Sequence, residues 1–410
     1  MKFPRLLRAF GLAALGTLAV GLATAQEPVP VPQPGAQPGG VDTAAGPMPV
    51  PPAPEPVAEA WVVMDAASGK VLAGENIDVP LPPASITKVM TSYVIAAEMA
   101  AGKINRDDQV RMSENAWRKG GAATDGSYSG FDVNQSAPLV EMEKGMVVQS
   151  GNDAAIALAE HVAGSEQAFA ALMNQHAQRL GLRNTHFVNA TGLPGEGHLS
   201  TAHDLALLGA ALARDYPEAY SYNAIKEFTV GSITQPNRNV LLWRDASVDG
   251  IKTGHTSAAG YCLMASAKRG DQRLVSVVLG SSSEKQRADD SQALLNWGFR
   301  FFETHTLYEP GTAVATQRVW KGQADELALG VASPVLVTVP RGRYEQLQPV
   351  MDVPSVLVAP FEQGQQVGTV RVTLDGDVLA EQPLVALEAV ERAGFFKRIW
   401  HEILMWWDSL

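Results

Sequence analysis

Three short polar motifs, Ser85-Ile86-Thr87-Lys88, Ser150-Gly151-Asn152 and Lys252-Thr253-Gly254, stand in that order in a chain of 410 residues. Each has a different kind of apolar flank, so a fold that uses them together must bring a helix, a loop and a strand to one place. Ile86, Val89, Met90, Tyr93, Val94 and Ala97 recur with helical period just after Pro82-Pro83. That pattern predicts a helix with Ser85 at its positive end and Lys88 one turn in, on the same face. A serine hydroxyl attacks a carbonyl at neutral pH only with a base in reach. A lysine of ordinary pKa, about 10.4, is a poor base, so the pair requires Lys88 to be buried beside the other cation, Lys252.

Taken singly the motifs are common. Ser282-Ser283-Glu284-Lys285 is a second S-x-x-K, and Ser113-Glu114-Asn115 and Ser221-Tyr222-Asn223 are further S-x-N tripeptides. Serine and asparagine favour helix caps and turns on backbone grounds alone, so these copies read as caps or turns. Flanking residues separate the sets. Ser85 opens a long apolar helix, whereas Ser282 lies in the polar run 281–290. Ser150-Gly151-Asn152 leads into the apolar run Asp153-Ala154-Ala155-Ile156-Ala157-Leu158-Ala159. Lys252-Thr253-Gly254-His255 occurs once and precedes Tyr261-Cys262-Leu263-Met264-Ala265-Ser266-Ala267, whose alternation suits a sheet strand. A substrate strand could lie along it while Lys252 and Thr253 hold a carboxylate.

With these motifs, Leu180-Gly181-Leu182-Arg183-Asn184-Thr185-His186-Phe187 and Trp297-Gly298-Phe299-Arg300-Phe301-Phe302, the chain resembles a low-molecular-mass penicillin-binding protein. The kind it resembles is a membrane-anchored serine-type D-alanyl-D-alanine carboxypeptidase, and the likeness runs from about Ala60 to the C-terminus. The resemblance implies an α+β fold: a penicillin-binding-protein/β-lactamase-like transpeptidase domain, with a sheet flanked by helices and a helical subdomain, then a small all-β domain and a C-terminal amphipathic helix. It implies Ser85 as nucleophile, Lys88 as general base, Ser150 and Lys252 as a proton relay, and Asn152 as a substrate or Lys88 contact. Lys252, Thr253 and Gly254 would bind substrate, with the backbone N–H groups of Ser85 and His255 as the oxyanion hole. Arg214, in Ala213-Arg214-Asp215, matches a position expected to help bind the terminal carboxylate; its other reading is a surface arginine paired with Asp215 or Glu218. Peptidoglycan stem peptides would be the substrate and β-lactams would acylate Ser85.

Rival readings share the motifs. A DD-endopeptidase would use the same residues on cross-linked peptides. A class A-like β-lactamase would need an E-x-x-L-N loop, which this chain lacks, and an inactive wall-binding scaffold would not need the intact serine, lysines and asparagine. His255 could be proposed as a catalytic imidazole, but the chemistry implied uses its backbone. No H-E-x-x-H or G-x-S-x-G occurs, so neither zinc nor any cofactor is expected.

Lys2, Arg5 and Arg8 precede the apolar run 10–22, and Ala23-Thr24-Ala25 closes it, which reads as a signal peptide over 1–25. Export would place the protein on the periplasmic face of the cytoplasmic membrane. Residues 26–59 carry closely spaced prolines and read as a disordered linker. The expected divisions that follow are a catalytic domain over 60–303, a β-rich domain over 304–391 and a membrane-surface helix over 392–410. In that helix Phe396, Ile399, Trp400, Ile403, Trp407 and Leu410 share one stripe, and Lys397 and Arg398 could meet anionic lipid. The polar stretch 117–131 reads as a loop, placed beside the active site by the resemblance. Cys262, the single cysteine, has no partner for an internal disulfide. Removing Lys2, Arg5 and Arg8 takes the net charge from −11 to −14, which argues against a nucleic-acid partner. Oligomeric state is left open.

Overall fold

The computed structural model describes residues 24–32, 49–122, 124 and 126–408. Most of the expected signal peptide, 1–23, and the middle of the proline-rich stretch, 33–48, lie outside the described residues, as does Leu410. The chain divides into two compact units. One comprises Pro34–Thr306 with Leu336–Glu345; the other comprises Met1–Gln33, Leu307–Val335 and Gln346–Leu410.

The first unit is built on a five-stranded antiparallel sheet in the order Val71–Glu75, Ala60–Asp65, Gln272–Ser281, Gly260–Arg269, Val248–Thr256. Its three inner strands carry long buried, mostly apolar runs because both faces are covered. Val62, Met64, Ile251, Cys262, Met264, Val275 and Val277 belong to the core shared with the helical residues of 86–212. Their alternates Leu263, Ala265, Ala267 and Leu274 pack with Leu295 and Phe299 of the helix Glu284–Phe301. The two-residue period of a strand thus distributes one sheet between two cores. The sequence between Glu75 and Val248 supplies most of the helices, so a sheet made from the two ends of the unit encloses a helical insertion. This is the expected α+β arrangement. Cys262 is fully buried, and burial pushes its thiol up to about 11, which leaves it an unreactive core residue. The strand that carries Lys252 is at the sheet edge, open on one side.

The proline-rich stretch departs from a free linker at both described ends. Near its end, Trp297 Nε1 donates to Pro51 O at 3.1 Å and Glu59 N–H to Leu279 O at 2.9 Å. At its start, Thr24–Pro28 is a strand antiparallel to Gln348–Pro354 of the second unit, and Val29 N–H continues the pairing to Pro349 O at 3.1 Å. Strand alternation points the N–H groups of Glu27 and Val29 toward the sheet. Pro28, Pro30 and Pro32 occupy the intervening positions, where N–H groups would face outward. Proline is tolerated there because an edge strand has no partner on that side, and at these three positions it removes donors that another chain could pair with.

The second unit carries a seven-stranded sheet in the order Thr24–Pro28, Gln348–Pro354, Gln366–Leu374, Asp377–Ala386, Glu326–Val331, Ala313–Trp320, Leu357–Val358. Only the last pairing, of Leu357–Val358 with Ala313–Trp320, is parallel. The helix Phe395–Asp408 is held by His401, whose Nδ1 accepts from Lys321 N–H at 2.7 Å while its ring meets Trp320 edge-on. Phe395, Phe396, Ile399, Trp400, Ile403, Trp406 and Trp407 remain exposed. Lys397, expected to face lipid, instead pairs with Asp325 at 2.8 Å and donates to Gln323 O. Among the described residues no helix is long and apolar enough to cross a membrane.

Deleting residues 26–33 should expose the edge of Gln348–Pro354. Hydrogen exchange there is expected to accelerate by at least about tenfold while the amides of Ala60–Asp65 keep their protection; equal exchange at Gln348–Pro354 with and without the arm would contradict the pairing.

Candidate active site

The Ser85-Ile86-Thr87-Lys88 motif begins before the long helix, not within it. Ala84–Thr87 forms a 3-10 turn, and the α-helix runs over Lys88–Ala100. A 3-10 turn eclipses side chains at i and i+3, and Lys88 Nζ lies 3.0 Å from Ser85 Oγ. Ser85 itself is half-buried, so its hydroxyl stays accessible. Ala84 adopts a positive φ of 47°. The loop that packs on it requires a glycine, since a Cβ at Gly192 would stand 1.8 Å from Ala84 O.

Lys88 is fully enclosed. Besides Ser85, Nζ contacts Asn152 Oδ1 and Thr191 O, both at 2.7 Å. Those two oxygens only accept. A neutral amine has two N–H donors, which they satisfy, and its lone pair is then left for the Ser85 O–H. Burial lowers the Lys88 pKa to about 7 against an upward pull from Asp153, with Arg238 adding to the lowering. Arg238 joins the expected cation, Lys252, whose repulsion with Lys88 lowers the Lys252 pKa. Thr191 is set by Asn189, whose Oδ1 accepts from Thr191 N–H at 3.1 Å, Thr191 Oγ1 at 3.0 Å and Gly192 N–H at 2.7 Å. His198 Nδ1 accepts from Val188 N–H, so its Nε2–H is the donor toward Thr87 Oγ1, 2.8 Å away. Burial holds that imidazole neutral, with its pKa down to about 4, so it brings no charge next to Lys88.

Asn152 opens the helix Asn152–Ala163. Its N–H donates to Ser127 O at 2.8 Å, and a Cβ at Gly126 would touch its amide. The polar stretch expected to lie beside the site does so, although its beginning is helical, over Glu114–Gly120. Next to Asn152, buried Asp153 accepts from Ser129 N–H at 2.8 Å and Ser129 Oγ at 2.9 Å, which pins the same loop. Ser150 is buried with a positive φ of 63°, a conformation that costs a serine about 1–3 kcal/mol. Among the described residues no direct hydrogen bond joins Ser150 to either lysine.

Lys252 and Thr253 are buried on the edge strand, with Lys252 Nζ 3.2 Å from Thr253 O. Burial, Lys88, Arg238 and Arg287 all push the Lys252 pKa well down. Gly254 is where this strand meets the nucleophile turn: a Cβ there would lie 3.3 Å from Ser85 N. The His255 ring is exposed and stacks on Tyr261 at 4.2 Å.

Residues 48–283 match the family described as D-alanyl-D-alanine carboxypeptidase, and residues 302–392 match the C-terminal domain of penicillin-binding protein 5. The chain belongs to the D-alanyl-D-alanine carboxypeptidase family. It is 48% identical over 356 residues to D-alanyl-D-alanine carboxypeptidase DacC of Escherichia coli K12, covering 86% of this chain and 89% of that one. It is 45% identical over 353 residues to DacA of the same organism, covering 85% and 88%. The structure of penicillin-binding protein 5 from Haemophilus influenzae superposes with a TM-score of 0.79 at 40% identity, over 83% of this chain and 99% of that one.

Within this carboxypeptidase, Arg214 does not join the cluster. It is 65% exposed and grips Asp215 with Nε at 2.7 Å and Nη2 at 2.9 Å, the surface pairing named as its other reading. The arginine whose charge reaches both lysines is Arg238, which sequence reading missed. Also missed were Thr191, Asn189 and His198. The duplicate motifs resolve as local structure. Ser113 Oγ accepts from Ala116 N–H and Ser283 Oγ from Gln286 N–H, both as helix N-caps, and Ser221 Oγ donates to Glu218 O. Among the described residues no group of His, Cys, Asp and Glu is arranged to hold a metal ion.

With Lys88 as base, kcat/KM should fall as pH drops through about 7 and the amine becomes protonated. Asn152→Asp places a carboxylate against Nζ, raises the Lys88 pKa, and is expected to move that acidic limb upward by about one pH unit or more. A pH–rate profile measures both; an unmoved limb would remove Lys88 as the titrating base.

Proposed function

We infer that Ser85 is the nucleophile of a serine-type D-alanyl-D-alanine carboxypeptidase that trims peptidoglycan stem peptides on the periplasmic face of the cytoplasmic membrane, to which it attaches peripherally. The observation that carries the assignment is the set of contacts to Lys88: two acceptors absorb its N–H groups and leave its lone pair to the Ser85 hydroxyl.

Ser85 Oγ attacks the carbonyl carbon of the penultimate D-alanine as its proton passes to Lys88. The tetrahedral oxygen takes up negative charge between the N–H groups of Ser85 and His255, a term of about 2.7–4 kcal/mol per donor in comparable enzymes. The C–N bond then breaks, and the departing amine of D-alanine receives the proton that Lys88 took from Ser85, relayed through Ser150 and Lys252, which leaves Lys88 neutral again. Water, deprotonated by Lys88, releases the acyl group and restores Ser85. The substrate lies along the open edge of Val248–Thr256, an arrangement of the β-addition kind. Its terminal carboxylate falls to Thr253, Lys252 and Arg238, the guanidinium being the better geometric match for two oxygens. β-Lactams enter the same path and stop at the ester on Ser85.

The test is D-alanine release from a diacyl-L-Lys-D-Ala-D-Ala peptide, run beside a cross-linked dimer and a labelled penicillin. Ser85→Ala should abolish both release and labelling. Arg238→Ala should raise KM by about tenfold or more through loss of a charge-assisted pair, whereas Arg214→Ala should leave KM unchanged. Penicillin turnover without D-alanine release, or preference for the dimer, would redirect the assignment to a β-lactamase or an endopeptidase.

A further inference from the structure

Arg287 is a buried cation that the mechanism above does not use. It lies near the start of the helix Glu284–Phe301, with a side chain only 4% exposed. Among the described residues its one carboxylate contact, Glu284, is 3.4 Å away and 69% exposed, a weak offset for burying a guanidinium. Its closer partner is a backbone carbonyl: Nη1 donates to Gly254 O at 2.9 Å and to Cys262 O at 3.3 Å. The guanidinium also stands 5.6 Å from the Tyr261 ring, which stacks in turn on His255.

The carbonyl it holds belongs to one particular peptide unit. Gly254 C=O and His255 N–H share a planar trans amide and point in opposite directions. Arg287 and the neighbouring strand Gly260–Arg269 lie on the carbonyl side, so the His255 N–H faces the open edge of the sheet, where the substrate lies. A Cβ at Gly254 would stand 3.3 Å from Ser85 N, so this stretch of the strand runs close beside the turn whose Ser85 N–H is the other proposed oxyanion donor.

We infer that Arg287 is a positioning residue for catalysis: by donating to Gly254 O it orients and polarises the amide whose His255 N–H receives the developing oxyanion. A charge-assisted bond to the carbonyl shifts electron density toward oxygen and makes the N–H across the same amide a stronger donor. It also stops the Gly254–His255 peptide from rotating at the moment of reaction, the preorganisation on which oxyanion stabilisation depends. The inference rests on the assignment of Ser85 and His255 given above.

The experiment compares wild type with Arg287→Lys, which keeps the charge on a single shorter donor, and Arg287→Gln, which removes it. Thermal melting identifies folded variants, and Arg287→Lys suffices if Arg287→Gln does not fold. Two readouts are taken: kcat, KM and penicillin acylation across pH, and the infrared stretch of the ester carbonyl in the penicilloyl-enzyme. The plateau of kcat and the acylation constant should fall about tenfold with KM within about twofold. The ester band should move to higher wavenumber, further in Arg287→Gln than in Arg287→Lys, as its carbonyl loses polarisation. Unchanged rates, or slower rates with an unshifted band, would overturn the inference alone. A wild type that neither releases D-alanine nor takes penicillin on Ser85 would overturn the carboxypeptidase assignment and this inference with it.

Discussion

The catalytic unit is organised around one enclosed amine. Among the described residues Lys88 has no carboxylate within hydrogen-bond distance, and its three contacts come from three separate parts of the chain: the turn at Ser85, the start of the helix at Asn152 and the loop at Thr191. Burying a charged ammonium there costs about 1.4 kcal/mol for each unit by which its pKa is lowered. The folded pKa of about 7 lies below the unfolded value of 10.5, so between these limits the unfolded chain binds more protons. Stability therefore rises with pH through that window, and the fold bears the full cost below it. The same displacement supplies a free base near neutral pH. In the proposed mechanism, stability given up at Lys88 and reactivity gained at Ser85 are two readings of one burial.

The second lysine shows how two similar side chains take different roles. Both are buried, but Lys88 is surrounded by fixed acceptors suited to a neutral amine, whereas Lys252 has one carbonyl contact and faces other cations. Lys252 and Arg238 repel each other along the edge strand, and in the proposed binding mode an incoming carboxylate relieves that repulsion. Charge repulsion in the free protein thereby becomes affinity for an anionic chain end. Asn239 ties this region together, because its Nδ2 donates to Gly250 O at 3.0 Å and so fixes the loop that carries Arg238 against the strand that carries Lys252.

Local chemistry was legible in the sequence and long-range partnership was not. The spacing of Ser85 and Lys88 and the apolar period behind them were enough to place hydroxyl and amine together, whether the turn was α or 3-10. Flanking hydrophobicity also separated the motifs that cluster from the copies at Ser113, which caps a helix, and at Ser282, which directly precedes the cap Ser283. Thr191 contributes a backbone carbonyl, which no side-chain pattern can announce; only the Asn189-x-x-Gly192 turn hints at a constrained loop. Arg214 and Arg238 show the same limit from the other side. An arginine next to an aspartate pairs with its neighbour, as Arg214 does. Arg238 stands between Asn237 and Asn239, whose amides are occupied with Ile225 O and Gly250 O, and no adjacent acid draws its charge away. That contrast was available in the sequence. Likewise, proline density suggested a linker over 26–59, although the valines alternating with Pro28, Pro30 and Pro32 already carried the pattern of an edge strand.

The C-terminal helix separates its duties by face. His401, Lys397 and Glu402 turn toward the β domain and find Lys321, Asp325 and Gln323 there. The opposite side leaves four tryptophan and phenylalanine residues and two isoleucines, Phe396, Ile399, Trp400, Ile403, Trp406 and Trp407, in contact with solvent, a cost that burial elsewhere would relieve. With Lys397 and Lys321 occupied by Asp325 and Glu402, Arg398 is the basic side chain of the helix that remains to meet anionic lipid, in a chain that is acidic overall. Attachment at the membrane surface must then rest chiefly on inserting the aromatic face, since each bulky ring transfers apolar area to the interface while its helix backbone stays hydrogen-bonded within itself.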